Sequence, residues 1–251
     1  MVKIVSIHSF RGGTGKSNLC ANLAVFTALQ GNNVGVVDTD IQSPGIHVIF
    51  GLGKKTPKFT LNDYLNKKCK IKEVAIELTK DLKLDAGKIF LIPSAMDASE
   101  ITKILRNGYE VDMLSSGLDK LSEEFNLNYL FIDTHPGLNE ETFLSTAISD
   151  VLLVIMRLDE QDWVGSAVTL EIAKKLEIPK LGIVINKILP GIDIKKIQKE
   201  INKNFKVPVA GAIKYYDELA KLASKSIFII ENKEHELNND INVLFNFISS
   251  D

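Results

Sequence analysis

Cysteine is scarce in this chain: only Cys20 and Cys69 occur among 251 residues, far apart and with no C-x-x-C pair. Two isolated thiols argue against a zinc or iron–sulfur site and suit a reducing cytoplasm. Long apolar runs are also missing. The longest, Val151 to Met156, is far too short to span a bilayer, and the first residues lead straight into a strand pattern, so neither a signal peptide nor a transmembrane helix is expected. Charge of one sign is nearly absent too. A formal net charge of −2, with 45% hydrophobic and 25% charged residues, describes an ordinary soluble globular protein and gives no global argument for nucleic acid. Nothing resembles a linker, so one α/β domain over residues 1–251 is the simplest expectation.

What is present begins at residues 9–17, Ser-Phe-Arg-Gly-Gly-Thr-Gly-Lys-Ser. An apolar run (Val2, Ile4, Val5, Ile7) precedes this stretch and a helical pattern follows it, the strand–loop–helix order of a phosphate-binding loop. Gly12, Gly13 and Gly15 let the backbone curl with its N–H groups inward, and the helix starting near Lys16 adds the positive end of its dipole. Lys16 is placed to neutralise the β- and γ-phosphates, and the Ser17 hydroxyl to coordinate a phosphate-bound Mg²⁺. Glycines alone also mark plain strand-to-helix corners; Lys-Ser in register is what selects the phosphate loop.

Further along, the periodicity predicts a first helix over about 16–30, ended by Gly31, and a short buried strand at Val34–Asp38. Together with the first strand they make the β-α-β unit of a parallel sheet. Asp38 and Asp40 lie at the carboxyl end of that strand, where ligands bind in open α/β sheets. Residues 41–53 read as a turn and a short helical pattern. Over 54–88 lysines are frequent (54, 55, 58, 67, 68, 70, 72, 80, 83, 88), a pattern that reads first as a solvated face and alternatively as a surface for an anionic partner. Short helices are expected at Thr60–Leu65 and Cys69–Lys80. A strand follows at Ile89–Pro93, then helical stretches from Ala98 and over Leu114–Phe125. Tyr129-Leu-Phe-Ile-Asp133 fits a Walker B strand, whose terminal Asp133 holds the metal's water shell. Strands at Asp150–Met156, Leu181–Asn186 and Val207–Ile213 alternate with helices at about 163–175, at 194–203 and at 216–224, and a last helix covers Leu237–Ile248.

These motifs resemble the MinD/ParA family of ATPases. The loop is similar to that family's deviant Walker A sequence, Lys-Gly-Gly-x-Gly-Lys-Ser/Thr, with Arg11 where the signature lysine stands. The Asp38, Asp40, Pro44 spacing is similar to its first switch, and Thr134-His135-Pro136-Gly137 to its second. The resemblance implies a P-loop NTPase fold, a mostly parallel twisted sheet with helices on both faces. It also implies ATP and Mg²⁺ as ligands, slow hydrolysis to ADP and phosphate, an ATP-dependent homodimer, and the positioning of a cargo or partner protein. Carried over residue by residue, the nucleotide contacts Gly12, Gly13, Thr14, Gly15, Lys16, Ser17 and Asn18. The metal lies by Ser17, Asp133 and Asp38, Asp40 orients the attacking water, and Asn186 reads the adenine edge. In the family the first lysine reaches the partner's nucleotide in trans; a guanidinium at Arg11 suits that task, since it stays charged and grips two phosphate oxygens at once.

The departures matter as well. His135 stands where relatives carry a small residue or proline; hydrolysis of this type needs no histidine base, so a γ-phosphate or partner-sensing contact is its functional reading. Lys214 stands where relatives carry a proline beside the base. Lys195, Lys196, Lys199 and Lys203 line one helix face and open the way to non-specific DNA binding, as in many ParA-like proteins. The final helix, with Glu234, Glu236, Asp240 and Asp251 around it and no lysine or arginine, argues against the anionic-lipid anchor of MinD and for packing in the core. Three alternatives stay open: an iron–sulfur carrier, for which cysteine ligands are lacking, a small-molecule ligase or kinase of the dethiobiotin-synthetase type, and a nucleotide sensor or scaffold that does not hydrolyse.

Overall fold

The computed structural model describes residues 1–53, 57–107, 111–138 and 146–250. Among the described residues, eight strands form one sheet: β1 (Lys3–His8), β2 (Asn33–Asp38), β3 (Ile76–Glu77), β4 (Lys88–Ile92), β5 (Tyr129–Asp133), β6 (Val151–Met156), β7 (Lys180–Ile188) and β8 (Val209–Lys214). Their order is β3-β4-β2-β5-β1-β6-β7-β8, parallel throughout except for β3 on β4. Successive parallel strands need crossovers, and helices run between them: α1 (Lys16–Leu29), α2 (Ile46–Ile49), α3 (Leu61–Leu65), α4 (Ala98–Asn107), α5 (Val111–Glu124), α6 (Glu160–Lys175) and α7 (Ile194–Phe205); α8 (Asp217–Leu222), α9 (Phe228–Glu231) and α10 (Leu237–Ser249) follow the last strand.

Alternation along each strand sorts the apolar side chains onto two faces. Val151, Leu153 and Ile155 of β6 join Val5, Ile7 and Phe131 in a core under α1 and α10, while Leu152, Val154 and Met156 pack under α6 and α7. Val37, Phe90, Ile92, Leu130 and Ile132 form a third cluster under α3 and α5. Strands buried on both sides carry near-continuous apolar runs, as these do. The expected final helix is α10: Leu237, Ile241, Leu244 and Ile248 are buried, and it packs on α1 and β8.

One expected element is different. Residues 69–80 do not form a helix but a 3₁₀ turn at Ile71–Glu73 followed by β3, antiparallel to β4. The apolar spacing of Ile71, Val74 and Leu78 imitates a helical period. Yet Ile71 and Val74 enter one core and Leu78 another, and Leu78 N–H donates to Ile89 O at the sheet edge. Pairing with the open edge of β4 overrides the local pattern. Of the lysines in this region, 58, 67, 68, 70, 72, 80, 83 and 88 are exposed, Lys68 pairing with Asp63 and Glu100 and Lys72 with Glu124. Lys54 and Lys55 lie outside the described residues. Smaller shifts are that α6 begins at Glu160, capped by Asp159, that β7 runs on to Ile188, and that the helix expected over 216–224 spans Asp217–Leu222.

Candidate functional site

β1 lies inside the sheet between β5 and β6, and the loop leaving its carboxyl end turns straight into α1. Gly13 (φ 78°) and Gly15 (φ 96°) take the left-handed conformation that only glycine adopts freely. At Gly15 a second constraint applies: a Cβ there would lie 2.5 Å from Asn186 Nδ2. The end of β7 holds the loop by its carbonyls. Asn186 Nδ2 donates to Thr14 O (2.7 Å) and Lys187 Nζ to Gly13 O (2.7 Å). No side chain caps the first turn of α1, so its N–H groups suit an anion. Above them opens a cavity of about 340–430 Å³ on either side of Gly15. The part lined by Gly12, Gly13, Thr14, Lys16, Ser17, Asp40 and Pro136 matches the size of a polyphosphate site.

The floor of that part is charged and buried. Lys16, 7% exposed, donates to Asp133 Oδ1 at 2.8 Å from the end of β5. Asp38 sits beside Asp133 in register on the adjoining strand and accepts the Asp40 N–H (3.1 Å) and Gly45 N–H (3.2 Å). Burial pushes the Asp38 carboxyl well above its ordinary range, and Asp133 and Asp40 push it further. Burial alone would lower the Lys16 ammonium, but Asp133, then Asp40 and Asp38, hold it above the usual lysine value. Three carboxylates thus face one ammonium, and Asp133 Oδ2 is buried with no hydrogen-bond partner among the described residues. Asp40 reaches across to the other loop: its Oδ1 accepts from His135 Nδ1 at 2.6 Å and from Ser43 N–H at 3.0 Å.

Arg11 points elsewhere. Its guanidinium pairs with Asp159 (3.1 Å) and Asp162 (3.5 Å) and donates to Gln161 Oε1 (2.6 Å) at the start of α6. Arg157 binds the same two carboxylates. Next to it, Phe10 lies so close to α6 that a Cβ on Gly165 would fall 2.0 Å from its ring. In this chain, then, the residue expected to act in trans is held by its own α6.

Beyond Gly15, the second part of the cavity is lined by Asn18, Asn186, Lys187, Lys214, Tyr215 and Tyr216 among others. Asn18 Nδ2 donates to Ser224 Oγ (2.9 Å), closing the wall between the two parts. Tyr215 is 42% exposed at its rim, and Tyr216 is fixed by a bond from its hydroxyl to Asp240 (2.8 Å). The structure therefore gathers Gly12, Gly13, Thr14, Gly15, Lys16, Ser17, Asn18, Asp38, Asp40, Asp133 and Asn186 around one opening, with Arg11 turned to its flank.

Sequence reasoning missed several neighbours. His8, wholly buried at the end of β1, bonds through Nδ1 to Thr134 Oγ1 (2.8 Å), whose own hydroxyl donates to Ile7 O (3.1 Å). The imidazole Nδ1–H is therefore the donor. Burial first, then Lys16 and His135, lower its pKa to about 3. The signal was available as a lone polar residue closing an apolar strand. Asp159, Gln161 and Asp162 as partners of Arg11, and Tyr215 at the cavity rim, had no such local signal.

Comparison with known proteins agrees with this geometry. The model of the CobQ/CobB/MinD/ParA nucleotide binding domain matches residues 5–229. Among similar sequences, an uncharacterized ATP-binding protein of Methanocaldococcus jannaschii is 25% identical, over 92% of this chain and 82% of its own length. The flagellum site-determining protein YlxH of Helicobacter pylori is 32% identical over 61% of this chain and 47% of its own. An iron–sulfur cluster carrier protein of Rickettsia typhi is 27% identical over 90% of this chain and 65% of its own. Among solved structures, the cell division ATPase MinD of Pyrococcus furiosus superposes with a TM-score of 0.81 at 21% identity, covering 99% of this chain and 98% of that one. MinD of Pyrococcus horikoshii, complexed with Mg-ADP, gives 0.80 at 19% identity, covering 100% and 97%.

Proposed function

The chain belongs to the CobQ/CobB/MinD/ParA family of nucleotide-binding domains, and from that premise we propose that it is a slow ATPase that works as a switch, dimerising with ATP to position a cellular cargo. The observation that carries this is the glycine loop opening on a phosphate-sized cavity with Lys16 buried against the carboxylate that ends β5. In this role the loop N–H groups and Lys16 bind the phosphates of ATP, and Asp40, at the cavity wall, orients the attacking water. Ser17, Asp133 and Asp38 would hold Mg²⁺. The fit is chemical: hard oxygen donors, three carboxylates against one ammonium, and the buried Asp133 Oδ2 without a partner among the described residues. When bound, the ion supplies charge neutralisation of the phosphates. Asn186 and the cavity beyond Gly15 take the adenine.

Arg11 is the residue that would tie hydrolysis to assembly. Released from Asp159 and Asp162, it would meet the partner's phosphates as an arginine finger does. Arg157 stays on the same two carboxylates, so α6 keeps its capping partners once Arg11 leaves. The test is size and phosphate release with ATP, in the parent chain and in Arg11→Ala. Monomeric ATP binding is expected to survive the substitution while dimer and turnover are lost, with Arg11→Lys recovering part of both. An Arg11→Ala chain that still dimerises and hydrolyses normally would favour a small-molecule enzyme of the dethiobiotin-synthetase type, or a sensor, and phosphate release that depends on an added small molecule would identify the former.

Partners follow the same premise. The exposed Lys195, Lys196, Lys199 and Lys203 of α7 are where non-specific DNA would bind, with retention that falls as salt rises. A lipid anchor is a poorer fit, because the apolar side of α10 is already buried against α1 and β8. The whole of 1–251 is proposed to act as one ATPase domain.

A further inference from the structure

We infer that His135 is a positioning residue that fixes the Asp40 carboxylate in its water-orienting attitude and so links the loop after β5 to the loop after β2. The inference rests on the proposed role of Asp40 and adds to it the residue that holds that carboxylate in place.

A carboxylate turns easily about its last bond, because that torsion has a broad, two-fold profile. Left with one partner, Asp40 would present either oxygen in a range of directions. Here a single oxygen, Oδ1, takes two donors: the His135 Nδ1–H at 2.6 Å and the Ser43 N–H at 3.0 Å. That leaves Oδ2 as the oxygen to address a water in the cavity that Asp40 lines. Since an ionised carboxylate only accepts, the proton must sit on Nδ1 of the imidazole.

The imidazole comes from a firm base. On one side of His135, the Thr134 N–H and hydroxyl both donate to Ile7 O (3.3 and 3.1 Å), and the same hydroxyl accepts from His8. On the other, Pro136 has a fixed φ, and the Gly137 N–H donates to Ser9 O at 3.0 Å. Both flanks of His135 are therefore tied to the end of β1 and the entry to the phosphate loop, and His135 carries that register over to Asp40. A proline, glycine or alanine at this position would have no such donor to offer.

Side-chain amides test this by shape. The Asn amide nitrogen falls near the imidazole Nδ1 position, and the Gln amide nitrogen near Nε2. His135→Ala should lower kcat for ATP by roughly 10- to 100-fold, the scale of a misplaced catalytic group. KM for ATP should stay within about twofold, because the group acts after binding. His135→Asn should recover most of the loss and His135→Gln should not. In an Asp40→Ala background, His135→Ala should change nothing further. Independently of turnover, long-range nitrogen–proton correlation spectra should show the Nδ1–H tautomer at His135 in the parent chain and its loss in Asp40→Ala. An unchanged kcat in His135→Ala, a Gln variant as good as Asn, or an Nε2–H tautomer in the parent chain would each overturn the inference. If Asp40→Ala hydrolysed ATP at the parent rate, the role of Asp40 itself would fall, an outcome distinct from the others.

Discussion

The two parts of the opening around Gly15 are built on different physics. The phosphate side is made of backbone and of a few buried charges: glycines in left-handed conformations, Lys16 against Asp133, and Asp38 with its carboxyl pushed upward by burial. The far side is made of half-exposed amphipathic side chains such as Tyr215, Lys214 and Lys187. Buried charge leaves little freedom, since removing one partner strands the other in a medium that solvates it poorly. An exposed rim tolerates exchange. Substitutions of the phosphate side should therefore cost stability and binding together, and those of the far side only binding.

Lys16→Ala is the strongest way to break that contrast. It leaves Asp133 and Asp38 buried without their cation, which should cost ~3–5 kcal/mol in urea unfolding and remove ATP binding by calorimetry. Unchanged ATP affinity would sink the phosphate-loop assignment. Gly15→Ala comes next, at ~1–3 kcal/mol, for strain at φ 96° and displacement of Asn186. Because Asn186 borders the far side, ATP affinity should fall with it; a variant as stable and as tight as the parent would mean that the loop relaxes freely.

His8 sharpens the comparison through pH. Its ordinary value of 6.5 falls to about 3 in the folded chain, so below 6.5 the unfolded chain takes up a proton that the folded one refuses. Stability is therefore lost as pH drops from about 6.5 towards 3, by ~2 kcal/mol near pH 5. Asp38 works the other way, because its raised pKa lets the folded state take up a proton first. The comparison that isolates His8 is thus the parent against His8→Asn, in urea unfolding at neutral and mildly acidic pH. The variant should show the flatter decline, and equal slopes would contradict a neutral buried imidazole. Smallest is Tyr215→Ala on the far side: ATP should bind roughly fivefold more weakly, ~1 kcal/mol of base stacking, with unfolding unchanged. Equal loss of stability would put Tyr215 with the buried group instead.

The same division decided what could be read from the sequence. The phosphate side is written locally, in residues 9–17 and in aspartates that end apolar strands, and parallel strands bring those ends together. The parallel β-α-β start and the gathering of Lys16, Asp38 and Asp133 at one end of the sheet follow from such patterns, whereas the strand order and the Lys16–Asp133 ion pair are seen only in the fold. The far side is assembled from the ends of β7 and β8 and from α1 and α8, so only Asn186 carried a recognisable mark. Residues 69–80 misled because their apolar spacing fits a helix while the edge of β4 offers better hydrogen bonds. Arg11 could be picked out as unusual, but its partners at the start of α6 lie far along the chain, and no periodicity points to them.

Phe10 and Gly165 carry a consequence for how this protein can vary by descent. The ring occupies the space that a side chain at position 165 of α6 would fill. A larger residue at 165 is tolerable only after the ring at 10 has shrunk, and a smaller residue at 10 leaves a hollow against α6 until 165 has grown. Neither step is neutral alone, so the two positions are expected to drift as a pair across homologues, a lineage keeping glycine at 165 for as long as it keeps an aromatic before Arg11.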